Sequence, residues 1–269
     1  MQTDNPGDPP PTQSLVVRSR DIEWLTVHSW ARNGAMQSAW PHDGKDIPED
    51  ATEIGVRLVN FPIGSVRHIT LKTGARTHPH GSAEDVLFYQ VTGRRVQMCE
   101  DESGTKNPGD VSFEPHGVEH STYQLIGGLF VEFALPAPHR PGGRPVWLKA
   151  SEAREIPCAT WTGQTELEWA DGPEAHWAPA SATRHLRRVF SFPGHDLIET
   201  VLHKGARTRP RCDVHDTLFY VVRGQLLWSV GETIEVEEGD SLRAPAGQEY
   251  ELEAITDAMV IQAAARSFE

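Results

Sequence analysis

His78 and His80 stand two residues apart in the stretch GARTHPHGSAEDVLFYQVTG (74–93). On an extended strand residues two apart share a face, so the pair offers two imidazoles side by side, half of a metal site. Imidazole nitrogens together with a carboxylate suit Fe(II), Mn(II), Ni(II) or Zn(II). A third histidine, His120, ends PGDVSFEPHGVEH (108–120), and Glu84 lies four residues after His80. The competing reading of an HxH pair is two surface residues. Gln90 follows Glu84, Val86 and Phe88 at period two. That parity would turn Gln90 toward a substrate and make Phe88 a pocket wall, with plain core packing as the alternative. No phosphate-binding glycine loop, GxSxG or HExxH is present.

The elements that must carry these residues are strands. VRHITL, VLFYQV, RRVQMC and LFVEFAL are short, rich in branched and aromatic residues, and separated by Gly/Pro turns. Segments 197–202, 217–222 and 257–264 behave alike, whereas the proline in REIPCATW breaks that segment. Many short strands at regular spacing predict an all-β chain of sandwiches or barrels. The length of 269 residues allows two such domains.

Composition excludes several classes. A net charge of −13 repels phosphate backbones, so nucleic acid is not an expected partner. No apolar run is long enough to span a bilayer. The start, MQTDNPGDPPPTQS, has neither a basic nor an apolar leader region and reads as a disordered tail over residues 1–14. The three cysteines, Cys99, Cys158 and Cys212, form no CxxC pair and read as free thiols in a reducing cytoplasm.

The chain is internally duplicated. GARTHPHGSAEDVLFYQVTG (74–93) aligns without a gap on GARTRPRCDVHDTLFYVVRG (205–224), and PGDVSFEPHGVEH (108–120) on EGDSLRAPAGQEY (238–250). The second copy has Arg209 and Arg211 in place of the two histidines, with His215 and Tyr250 at the other ligand positions. A guanidinium is always charged and does not ligate metals. The arginines either bind an anion or pair with neighbours such as Asp213 and Asp216. Between the copies, 136–181 opens with Pro and Gly and holds four of the eight tryptophans, read as packing anchors.

These motifs resemble the cupin superfamily. Its first motif is similar to Gly74, His78, His80, Glu84 and Gly93, and its second, G-x5-P-x-G-x2-H, to Gly109, Pro115, Gly117 and His120. Gln124 stands where that motif often has Asn. The duplicate resembles it through Gly205, Gly224, Gly239, Pro245 and Gly247. The resemblance implies two tandem antiparallel jelly-roll barrels: an N-terminal one over 15–140 with a metal site, a connection over 141–180, and a degenerate one over 181–269. It also implies that His78, His80, Glu84 and His120 converge on one divalent ion. One departure stands out: the family's spacing from its glutamate to the closing glycine lands on Val86, not Glu84. Either Glu84 reaches the ion, or the site is a three-histidine one, as in some cupin dioxygenases.

The function so implied is a metal-dependent enzyme, an Fe(II) dioxygenase of a small oxygenated aromatic or acidic substrate. Alternatives are a Zn, Mn or Ni isomerase, lyase or hydrolase, with Glu84 as its base, and a binding cupin without turnover. A monomer or a homodimer would serve.

Overall fold

The computed structural model describes residues 13–32, 35–39, 45–100, 102–136, 143–161, 164–168 and 183–265. Residues 1–12 of the expected tail, His42, His139, Trp169 and Trp177 lie outside the described residues, as does the side chain of Trp161. The chain is nearly all β and its strands pair antiparallel, as expected. It divides into two units: one of Met1–Gln13 with Arg20–Glu152, the other of Ser14–Ser19 with Ala153–Glu269.

In the first unit an eight-stranded sheet runs Val146–Leu148, Val111–Glu114, Asp85–Gln90, Gly128–Leu135, Gly64–Leu71, Thr52–Phe61, Leu25–Arg32, Ala35–Ala39. A second sheet runs His120–Ile126, Arg94–Cys99, Glu102–Lys106. The second unit repeats this order. Its larger sheet runs Val16–Val17, Ser241–Ala244, Thr217–Arg223, Ala258–Ala265, His195–Leu202, Thr183–Phe192, Arg154–Trp161, Gln164–Glu168. Its smaller sheet runs Arg211–Cys212, Glu249–Ala254, Gln225–Val230, Glu232–Glu237. Glycines close the corners: Gly93 has φ 75° and Gly224 φ 83°. A Cβ on Gly93 would come within 2.6 Å of the Ile126 carbonyl, and one on Gly224 within 2.3 Å of that of Asp257, so no side chain fits either turn.

Alternation of burial along Arg94–Cys99 and Gln225–Val230 shows one face of each strand turned inward. The inward residues differ in kind. In the second unit they are Leu226, Trp228 and Val230, part of a cluster with Phe219, Val221, Leu242, Leu252 and Val260. In the first they are Arg95, Gln97 and Cys99, all at most 1% exposed.

Two features depart from the sequence reading. Pro157 does not break its segment: Arg154–Trp161 is one strand. Pro157 pairs with Leu186 on one side, and the described pairing on the other side begins only at Cys158, opposite Glu168. The second feature is an exchange of edge strands. Val16–Val17, at the start of the chain, pairs with Ser241–Leu242 of the second unit. Val146–Leu148, which precedes the second copy, pairs with Val111–Phe113 of the first. A buried aspartate anchors each arm. Asp240 accepts bonds from Arg18 Nη1 and from the Ser19 N–H, both 2.9 Å; Asp110 accepts one from the Ala150 N–H at 3.0 Å.

Deleting residues 1–19 removes this strand and the packing of Leu15 and Val16 on the second core. It should cost about 2–3 kcal/mol, against about 1 kcal/mol for Arg18→Ala, which leaves Asp240 its backbone donors. Urea denaturation checks both, and an unchanged midpoint in the deletion would contradict this role for the arm.

Candidate metal and ligand site

The loop from Gly74 returns beside the His120–Ile126 strand. The His80 N–H donates to the His120 carbonyl at 3.0 Å and the His120 N–H to the His80 carbonyl at 2.9 Å. This bridge brings the histidines together. Ring centroids of His80 and His120 lie 4.4 Å apart, and those of His78 and His80 lie 5.0 Å apart and stacked. His120 is 6% exposed and packs edge-on against Phe88 at 5.6 Å. Although His80 is exposed, the protein packed around it and then the neighbouring His120 push it below its ordinary value; burial, then Lys45, also lowers His78. Both are neutral at pH 7, as ligation requires.

The two nearest imidazoles are oriented through Nδ1. That of His80 lies 2.8 Å from the His78 carbonyl oxygen. That of His120 lies 2.8 Å from Glu114 Oε2. Burial disfavours charge on His120, but contact with Glu114 outweighs it and holds the imidazole above its ordinary value. Glu114 is 1% exposed and is fixed in turn. Gln97 Nε2 donates to its Oε1 at 2.6 Å, Thr122 Oγ1 to Gln97 Oε1 at 2.8 Å, and Arg95 Nη1 to Thr122 Oγ1 at 3.4 Å. A chain of hydrogen bonds thus runs from a buried guanidinium to Glu114, whose other oxygen faces the ring of His120.

Glu84 is half-buried in the loop before the Asp85–Gln90 strand, its N–H bonded to Ser82 Oγ at 3.1 Å. The carboxylates whose charge acts on these histidines are Glu114 and Glu132, and Glu132 pairs with Arg67. Val86 occupies the inner face with Phe88 and Phe130, in one apolar cluster. Gln90 is fully buried, its Nε2 donating to the carbonyls of Thr92 at 2.6 Å and Leu129 at 3.3 Å. Among the described residues, no three His, Cys, Asp or Glu side chains are grouped to hold an ion as they stand.

In the second unit Arg211 pairs with Tyr250 as His80 does with His120. Tyr250 Oη donates to Asp213 Oδ2 at 2.9 Å and accepts from Gln262 Nε2 at 3.0 Å, while Thr217 Oγ1 donates to the same carboxylate at 2.8 Å. Asp216 pairs instead with Arg243. Residues at the other inward positions of the first unit's chain become Leu226, Trp228, Leu252 and Ala244, all buried.

Residues 198–262 match the cupin domain family model. That segment lies in the second unit, whose strand order is that of the first, so one fold serves both. Solved structures agree in fold. Oxalate decarboxylase of Bacillus subtilis, described with Mn(II) centres, superposes with TM-score 0.62 at 12% identity over 97% of this chain and 80% of that one. AerE of Microcystis aeruginosa gives 0.59 at 10% over 83% and 97%, and protein Ylba of E. coli 0.58 at 14% over 84% and 88%. No curated protein matches the sequence. Among the described residues no helix is long and apolar enough to cross a membrane.

Sequence reasoning passed over Arg95, Gln97, Glu114 and Thr122. Their signal lay in the duplication itself, at positions polar in the first copy and apolar in the second.

The contrast between the two interiors predicts unequal costs at equivalent positions. Trp228→Ala should lose about 3–5 kcal/mol, and Gln97→Ala about 1–2 kcal/mol; denaturant titration checks the pair. Burial, then Glu114, raises the Cys99 thiol far above its ordinary value, and Cys158 is also buried. Native protein should therefore present only Cys212 to a thiol reagent, and rapid reaction at Cys99 would contradict the packing.

Proposed function

We propose that the first unit is a metal-dependent cupin enzyme in which His78, His80 and His120 hold one divalent ion, with Fe(II) preferred, and that it acts as a dioxygenase on a small oxygenated substrate. The observation carrying this reading is the pair His80 and His120, each with Nδ1 engaged and Nε2 left for a ligand. A carboxylate or carbonyl behind a histidine is the usual support of a metal ligand. Val86 on the inner face favours the three-histidine set over one that includes Glu84. Since no ready-made group of three exists among the described residues, the ion completes the site on binding, as is common for metal sites.

When bound, the ion supplies Lewis-acid activation of a substrate oxygen and, as Fe(II), an electron path to O2. The protein's part is distinct. Glu114 holds the proton at His120 Nδ1 and so aims Nε2. Gln97 and Thr122 keep Glu114 from turning. Phe88 and Phe130 wall the interior and exclude water from it, with Gln90 beside Phe130 on the neighbouring strand. Three free thiols suit a reducing cytoplasm, and one chain or a homodimer would serve.

Elemental analysis of protein purified without oxygen tests this reading. Near-stoichiometric iron in the wild type should fall to background in His80→Ala and His120→Ala and stay unchanged in Glu84→Ala. Loss in Glu84→Ala would restore the carboxylate set. Zinc or manganese in iron's place would select an isomerase, lyase or hydrolase, in keeping with the Mn(II) of the Bacillus neighbour. Equal metal in all proteins, or none in any, would leave a binding cupin.

A further inference from the structure

Among the described residues Arg95 forms no ion pair, although Glu114 and Glu132 act on it from a distance. It is 1% exposed. Its guanidinium carbon lies 3.9 Å from the ring centroid of Phe130 and 4.9 Å from that of Phe88. Its one hydrogen bond is the long one to Thr122, and its Nε is buried with no acceptor. A buried guanidinium with donors unspent is costly, so a functional reason for it is worth seeking.

The nearby charges do not supply one. Glu132 is taken by Arg67 and Glu114 by His120 and Gln97. Lys106, the other buried cation of this interior, donates to the Val111 carbonyl and lies against Trp147. Arg95 is therefore the cation left over. Two acceptors nearby are also unspent: the side-chain carbonyls of Gln90 and of Gln124, the latter paired with Arg95 across the strands. Their amide nitrogens are committed to backbone carbonyls around 92–129.

The second unit is an internal control. In it the positions of Arg95, Gln90 and Gln124 are Leu226, Val221 and Ala254, all in the apolar core. The fold thus has no need of a cation or of two amides there.

We infer that Arg95 is the carboxylate-binding residue of the first unit, taking the acid group of a small hydroxy acid whose hydroxyl donates toward Gln90 and Gln124. A guanidinium presents a planar fork that matches a carboxylate with two parallel bonds, and the two aromatic rings fix its plane. The inference rests on the first unit being a ligand site, and it names the substrate class of that site. It does not require that the ion be iron.

Isothermal titration of the full chain, as purified with its metal, uses three acid and amide pairs as probes: lactate and lactamide, mandelate and mandelamide, salicylate and salicylamide. The wild type should prefer the acid in at least one pair. Arg95→Leu should lose that preference, with acid binding weakened about thirtyfold or more and amide binding unchanged. It should keep its metal content and melt no lower than the wild type, because Leu226 shows the fold accepting leucine there. Should Arg95→Leu fail to fold, Arg95→Met, which keeps the stem without the charge, is measured instead. Acid preference surviving in the folded variant, or no preference by the wild type in any pair, overturns the inference. Metal content read on the same samples keeps the two ideas apart. Metal absent with acid preference intact sinks the metal enzyme alone, and metal present without acid preference sinks the carboxylate site alone.

Discussion

A buried polar group must find a partner or destabilise the fold, and the first unit is organised around that requirement. A chain of hydrogen bonds from Arg95 through Thr122 and Gln97 ends on Glu114, whose other carboxylate oxygen lies 2.8 Å from His120 Nδ1. Glu114 is thus held by Gln97 on one side and faces the ring on the other. Take away Gln97 and both Thr122 and Glu114 lose that partner in a closed interior. The chain bridges the two sheets, since Glu114 stands on the larger and the other members on the smaller. It therefore both holds the sheets together and aims His120.

The second unit shows what the same frame does without such a chain. Phe219, Trp228 and Tyr250 stack at centroid distances of 4.8–5.4 Å, and leucines and valines fill the rest. Large apolar side chains bury surface without needing partners, so this interior is a core and nothing more is asked of it. Asp213, Thr217, Tyr250 and Gln262 bond among themselves, and Trp228 Nε1 is left without a partner. In the first unit several polar atoms are left open, including Arg95 Nε and the Gln90 and Gln124 carbonyls. A duplicated fold has thus divided its labour: one copy is packed for stability, while the other retains polarity at a cost that only a ligand repays.

Much of this was legible in the residues. Alternating and branched segments marked the strands, the duplication marked the two units, and HxH with His120 marked three rings that the fold does bring together. Three things were not legible, each for a physical reason. Whether Glu84 faces the histidines could not be read from spacing, because it stands in the loop one residue before the strand that begins at Asp85. Spacing in a loop says little about direction. Pro157 looked like a breaker because propensity cannot see the tertiary pairing with Leu186 that keeps the segment extended. RRVQMC reads as a strand with a polar inner face only once the register with His120–Ile126 is known, so Arg95 and Gln97 carried no signal within their own copy. The edge strand Val16–Val17 is two residues long, too short for any periodicity.

The central claim is that chemistry belongs to the first unit alone and is organised around His80 and His120. Anomalous diffraction from crystals grown anaerobically with Fe(II) or Mn(II) tests it most directly. The account predicts one ion peak within bonding distance of Nε2 of His80 and of His120, and no peak beside Arg211 and Tyr250. A first unit without an ion at saturating metal, or a peak of equal strength in the second, would contradict it.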